Sequence, residues 1–284
     1  MSAPSDPPPR YVECPRDAWQ GLAALIPTFE KVAYLRLLLD AGFRDLDLGS
    51  FVSARAVPQL ADTEAVLAEL PEPEGRDYLC IVANARGLER AAGQLKVTSL
   101  GYPLSVSDAF QRRNTGRGLA ESWPLVAELA EGARQAGKRL VVYLSMGFGN
   151  PDGEPWTPGV TLDAVARLRD SGVNDVALAD TVGRASPELV AELCGAAVAR
   201  FGADGLGVHL HARPERALAL VRAARGAGIR WFEGALSGAG GCPFAGDTLV
   251  GNLPTELVAP ELGLALAGLP ALAERARTLQ AQAA

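Results

Sequence analysis

Histidine is almost absent from this sequence: there are two in 284 residues. Both fall in "GLGVHLHARP" (205–214), as His209 and His211. Imidazole chemistry therefore has one place in the chain. Lysine is nearly as scarce: Lys31, Lys96 and Lys138 are three of 27 basic residues, a bias of composition and not a phosphate-binding design. A net charge of −6 leaves no basic stripe for nucleic acid and no polybasic patch for a membrane surface. The four cysteines (Cys14, Cys80, Cys194, Cys242) lack CxxC spacing, which argues against a zinc knuckle or a disulfide framework and fits a reducing cytoplasm. No long apolar run exists: residues 262–273 are the longest and are broken by glycine and proline, too short to span a bilayer. The opening "MSAPSDPPPR" has neither the cationic nor the apolar region of a signal peptide and reads as a disordered Pro-rich tail over residues 1–10.

What is present is a rhythm. Hydrophobic residues make up 48% of the chain, enough for a sizeable core. Eight short apolar runs read as strands: Tyr11–Cys14, Phe43–Gly49, Tyr78–Asn84, Leu95–Leu100, Leu140–Met146, Asp175–Asp180, Gly205–His211 and Ile229–Leu236. Helix-length segments lie between most of them: Thr28–Ala41, Ala61–Leu70, Leu119–Ala136, Leu162–Ser171, Pro187–Phe201 and Pro214–Ala227. The third unit is the weakest, with a short helix over Leu88–Gln94. Several helices stop at a glycine before the next strand, in "AGFRD", "AGKRL", "SGVND", "FGADG" and "AGIRW". Strand-then-helix repeated eight times predicts a (β/α)8 barrel, a TIM barrel, over residues 11–284 as one domain, with a C-terminal helical extension after Pro254. An open doubly wound sheet is the alternative.

On such a scaffold the histidine pair acquires meaning. Residues i and i+2 of a strand share a face. His209 and His211 close the seventh strand, so both project inward at the rim where barrel active sites lie. Two imidazoles on one face can chelate one metal. A bare HxH is equally a polar strand end, and other rims shift that balance. Arg16 and Asp17 follow the first strand, Asp47 sits in the second, and Asp180 ends the sixth. After the eighth comes a glycine-rich segment with Cys242, then Asn252 at an expected helix start. Each has a plain account alone: Asp180 as a turn cap, Asn252 as a helix cap, Arg16 and Asp17 as a surface pair. Polar groups at five rims are the distribution of a barrel enzyme.

In chain order, "PRDAWQ", "SFVSARAVPQLADT", "SDAFQRRN", "ADTVG", "HLH", "GAGGCPFA" and "GNLPTE" resemble the motifs of the 3-hydroxy-3-methylglutaryl-CoA lyase family, in the metal-dependent lyase and Claisen-type branch of TIM barrels. The resemblance implies a divalent metal, Mg²⁺ or Mn²⁺, held by Asp17, His209, His211 and Asn252; the ligand types alone also admit Zn²⁺. It implies that Arg16 stabilises enolate charge, that Cys242 on a mobile glycine loop exchanges a proton, and that Asp180 and Asp47 act in catalysis. Arg112, Arg113, Asn114 and Arg117 fall in a loop whose family counterpart lies near coenzyme A; arginine suits phosphate and suits a solvated loop equally. An acyl-CoA substrate and a homodimer follow from the same likeness.

Departures are visible too. Ala18 and Trp19 stand where the family has Gly and Leu, Ala212 where it has Asp, and Asp47 where it has Glu; "GFGNPDG" replaces "GCPYEG". Trp19 is expected to add bulk beside Asp17 and reshape the acyl pocket. A relative with another substrate, or a non-catalytic barrel, are the competing readings.

Overall fold

The computed structural model describes residues 8–241 and 250–283. Its strands are β1 (Arg10–Glu13), β2 (Asp45–Ser50), β3 (Asp77–Ile81), β4 (Ser99–Ser105), β5 (Arg139–Ser145), β6 (Asp175–Asp180), β7 (Leu206–Leu210) and β8 (Trp231–Gly234). They close, all parallel and in sequence order, into a barrel sealed by β1 against β8. The helices are α1 (Pro15–Trp19), α2 (Thr28–Asp40), α3 (Thr63–Glu69), α4 (Ala85–Ala92), α5 (Asp108–Thr115), α6 (Leu119–Gln135), α7 (Pro158–Asp170), α8 (Pro187–Phe201), α9 (Pro214–Gly226), α10 (Thr255–Glu261) and α11 (Leu269–Ala283). This is the (β/α)8 barrel expected, with α10 and α11 as its C-terminal helical extension.

Alternation along each strand separates two cores. Val12, Cys14, Leu79, Ile81, Val141, Tyr143, Ala177 and Trp231 fill the barrel interior. Their neighbours in sequence, such as Leu140, Val142 and Leu144, face the helices in a larger outer core. The helix-end glycines Gly42, Gly137, Gly172, Gly202 and Gly228 all adopt positive φ, the left-handed stop that the sequence signals.

Several boundaries differ from expectation, and three of the differences change the reading. Arg10, assigned to the tail, begins β1 and bonds Asp45 (2.9 Å) and Asp77 (2.8 Å) beneath the barrel. The fourth strand is Ser99–Ser105, not Leu95–Leu100; Leu95 is 91% exposed in the preceding connection. Pro103 lies within β4, and because pairing with β3 ends at Gly101 its missing N–H costs no ladder bond there. The "SDAFQRRN" stretch is a helix, α5, and not a loop: Ser107 Oγ caps Phe110 N at 3.1 Å, and Gly116 (φ 74°) ends it.

Candidate metal centre

The site stands at the C-terminal rim, where strand alternation turns the β7 histidines inward. His209 Nδ1 lies 2.8 Å from Glu233 Oε2, and His211 Nδ1 lies 2.8 Å from the Val250 carbonyl oxygen. A carbonyl only accepts, so His211 carries its proton on Nδ1; the carboxylate asks the same of His209. Both Nε2 lone pairs then face each other across 3.1 Å. Two lone pairs at that distance repel unless something positive lies between them. Asp17 completes the cluster, its carboxylate oxygen and both imidazole nitrogens all within 4.8 Å of one another.

Asp17 sits on α1, whose start is pinned by Pro15 at the first turn. Asn252 reaches it from the other end of the chain. Its Nδ2 donates to Asp17 Oδ2 (2.6 Å) and to the Ala239 carbonyl (2.7 Å). Its Oδ1 is buried with no hydrogen-bond partner among the described residues. An unpartnered buried amide oxygen costs free energy, and beside a carboxylate and two imidazole lone pairs it is a fourth donor of the kind a divalent cation takes. The donor set therefore fits a metal. Asn252 does not cap a helix as expected: it forms an isolated bridge with His211, and α10 begins at Thr255 after Pro254.

The electrostatics agree. Burial pushes the Asp17 carboxyl up, but Arg16, the two imidazoles and the Asn252 amide outweigh it and hold it at about 2. Burial and the neighbouring His209 bring His211 down to about 4, which keeps its imidazole neutral. For His209, burial works downward, and the Glu233 carboxylate overrides it and raises the value.

Arg16 is buried beside this cluster. Its Nε contacts both Asp47 oxygens (3.1 and 3.0 Å), its Nη2 contacts Asp47 Oδ2, and its Nη1 reaches Asp17 Oδ1 and Gln20 Oε1, both at 3.0 Å. Burial drives the Asp47 carboxyl up, to about 6, against the opposing pull of Arg16. Arg16, Asp17, His209 and His211 line one cavity with Ser50, Ile81, Phe110, Asn114, Tyr143, Ser145, Ala179 and Thr181. Asp47 is fully buried behind Arg16 and does not line the cavity.

Other expected site residues fall differently. Asp180 turns its carboxylate into the β6–α8 connection, accepting from Arg184 N (3.0 Å) and Ala185 N (2.8 Å); the flanking Ala179 and Thr181 line the cavity in its place. This is the turn-cap account of that residue. Of the residues assigned to coenzyme A, only Asn114 faces the cavity. Arg112 pairs with Asp108 (2.8 Å), Arg113 holds Asp152 bidentately (2.8 and 2.9 Å), and Arg117 donates to the Ala83 carbonyl (3.1 Å). Trp19 points away from the cavity, into the outer core edge-on to Tyr34 at 5.8 Å, so the expected reshaping of the acyl pocket is corrected: α1 directs residue 19 to its opposite face. Cys242 lies outside the described residues. Gly240, on the segment leading to it, has φ 92°, and a Cβ there would meet Asn252 Nδ2 and the Asp17 carbonyl at 2.8 Å; this glycine serves close approach as much as hinge freedom.

Two glutamates escaped the sequence reading. Glu233 supports His209. Glu13 accepts from Leu236 N (2.8 Å) and meets the Thr255 hydroxyl (2.5 Å), tying β1 to the segment that carries Asn252. Burial raises Glu13 to about 8. A carboxylate inside an otherwise apolar strand, as in "RWFEG", was the available signal.

Comparison with known proteins agrees with this geometry. Residues 13–272 match the family model described as HMGL-like. The hydroxymethylglutaryl-CoA lyase of Pseudomonas mevalonii is 31% identical over 242 residues, covering 85% of this chain and 80% of that protein. The mitochondrial enzyme of that name from Mus musculus is 31% identical over 244 residues, covering 85% and 74%. A structure of an HMG-CoA lyase from Acinetobacter baumannii, in complex with coenzyme A and 3-methylmalate, superposes with a TM-score of 0.89 at 30% identity, over 99% of this chain and 92% of that one.

Proposed function

This chain belongs to the HMGL-like family and is a carbon–carbon lyase of the HMG-CoA type; on that premise we propose that it cleaves 3-hydroxy-3-methylglutaryl-CoA, or a similar 3-hydroxyacyl-CoA, to acetyl-CoA and a keto acid with a divalent metal. The observation that carries this reading is the convergence of three lone-pair donors, Asp17, His209 Nε2 and His211 Nε2, at the wall of one cavity, with the Asn252 amide bonded to Asp17 behind them. These residues would hold Mg²⁺ or Mn²⁺, with Zn²⁺ admitted by the imidazoles. When bound, the ion supplies Lewis acidity that lowers the pKa of the substrate's tertiary hydroxyl and orients it.

The chain's own groups account for the rest. Cleavage removes the hydroxyl proton, breaks the bond between C2 and C3, and leaves the electron pair on the thioester as an enolate. Asp47, Asp17 and Gln20 occupy four of the five N–H donors of Arg16, leaving one Nη2 N–H to meet that developing charge. Asp47 is thus a positioning residue, fixing the plane of the guanidinium. Asp180 positions the loop that presents Thr181. We assign protonation of the departing carbon to the Cys242 thiol, on its place in the glycine-rich segment beside Asn252. Asn114 is read as a contact to the acyl-CoA. A homodimer is an expectation carried by the family likeness alone, and a cytoplasmic setting one carried by the cysteine pattern.

A relative with another substrate, motivated by the departures at Ala18, Trp19 and Ala212, is the alternative; none of these three side chains lines the cavity. The test is acetyl-CoA release from 3-hydroxy-3-methylglutaryl-CoA with Mg²⁺ or Mn²⁺, with chelator, and with Cys242→Ser. Release that needs metal and collapses in the variant supports the proposal. No release from folded, metal-loaded protein moves the search to other hydroxyacyl thioesters.

A further inference from the structure

Directly beneath the proposed metal ligands, two buried polar atoms have no hydrogen-bond partner among the described residues: Tyr143 Oη and Glu233 Oε1. Tyr143 projects inward from β5, 6% exposed, with its ring edge-on to His209 at 5.6 Å and 78°. Glu233 projects from β8, wholly buried, and spends Oε2 on His209 Nδ1. The two meet at one imidazole: the phenol ring stands edge-on to it and the carboxylate sits on its Nδ1 at 2.8 Å. An orphaned phenol and an orphaned carboxylate oxygen in one barrel interior are each costly, and one is a donor while the other only accepts. A buried water between such groups is the usual resolution.

We propose that Tyr143 is a positioning residue for His209, its O–H satisfying Glu233 Oε1 through one buried water and so holding the carboxylate that fixes the Nδ1–H tautomer of His209. The consequence for metal affinity rests on the ligand assignment above; the tautomer does not. Without the tyrosine hydroxyl, Glu233 Oε1 is released, the carboxylate turns, and the Nε2 lone pair of His209 is no longer aimed at the site. Among the described residues the hydroxyl makes no other hydrogen bond, so Tyr143→Phe removes this link without opening a cavity.

Because the chain has only two histidines, nitrogen-15 NMR of ring-labelled, metal-free protein shows two imidazoles and nothing else. In Tyr143→Phe the His209 nitrogens are expected to move from one tautomer towards a mixture, while His211, held by Val250, stays put. Glu233→Gln is expected to disturb the same ring. Binding of Mn²⁺ is expected to weaken in Tyr143→Phe by about 3- to 10-fold, below the 10- to 100-fold of a group touching the ligand itself. Unchanged His209 resonances overturn the proposal, as does a variant in which both rings move together with a general loss of stability. A high-resolution crystal structure of the unaltered protein decides independently: a water bridging Tyr143 Oη and Glu233 Oε1 supports the link, and a phenol bonded elsewhere refutes it. Failure of the unaltered protein to bind Mn²⁺ overturns the metal reading, while the metal-free spectra still judge the tautomer.

Discussion

Asn252 Nδ2 donates to Asp17 Oδ2 at 2.6 Å across 235 residues of chain. One amide thereby orients the carboxylate and, through its unpartnered Oδ1, adds a donor beside it. Replacing Asn252 by Ala removes both. Loss of a group that orients a ligand costs about 10- to 100-fold in metal affinity, and Asn252→Ala is expected to exceed the upper end of that range. Isothermal titration with Mn²⁺ reads it; affinity within threefold of the unaltered protein would remove Asn252 from the ligand set.

Asp47 and Arg16 form a buried pair, and breaking such a pair leaves a charge without compensation. Asp47→Ala is expected to destabilise the fold by about 3–5 kcal/mol. In a domain of this size that lowers the melting temperature by roughly 10 °C. Asp47→Glu, which keeps the charge, is expected to retain most of the stability. Thermal denaturation of the two variants side by side checks the contrast.

Glu13 gives a pH dependence with a definite sign. Its folded value is raised to about 8 from an ordinary 4.5, so between these limits the folded protein holds a proton that the unfolded chain has released. Its contribution to stability is fully present below about 4.5 and is lost as pH rises towards 8, by up to about 1.4 kcal/mol per unit. Glu13→Gln mimics the protonated form and removes this slope. Urea denaturation at several pH values from 5 to 8 compares the two; parallel profiles would show that Glu13 does not titrate in this range.

Trp19 separates the two accounts of the family departures. If it packs only against Tyr34, Trp19→Leu costs about 1–3 kcal/mol of stability and leaves KM for the thioester within twofold. A large change in KM at unchanged stability would place the indole at the acyl pocket after all.

The barrel was legible because its signals are local. Short apolar runs, helix-length segments between most of them and glycine stops after several helices carry the repeat, and the helix-end glycines adopt the left-handed conformation that the pattern implies. The errors arose where a local rule was overruled by position. The apolar run Leu95–Leu100 reads as the fourth strand, but Leu95 is exposed in the connection and β4 starts at Ser99. The arginines of α5 drew attention as phosphate ligands, and the cap at Ser107 that makes the segment a helix went unread.

The histidines show the same division at the site. Their spacing of two, on a strand, already places both side chains on one face, because the pleat alternates whatever the surroundings. That they belong to a barrel rim with Asp17 follows from the repeat. What the sequence by itself left open is which atom of each side chain is available. The protons sit on Nδ1 because Glu233 of β8 and the Val250 carbonyl stand behind the rings, and Asp180 is turned from the cavity because two amides of its own turn claim it. Direction of a lone pair is set by partners distant in sequence, and only the closed barrel brings them together.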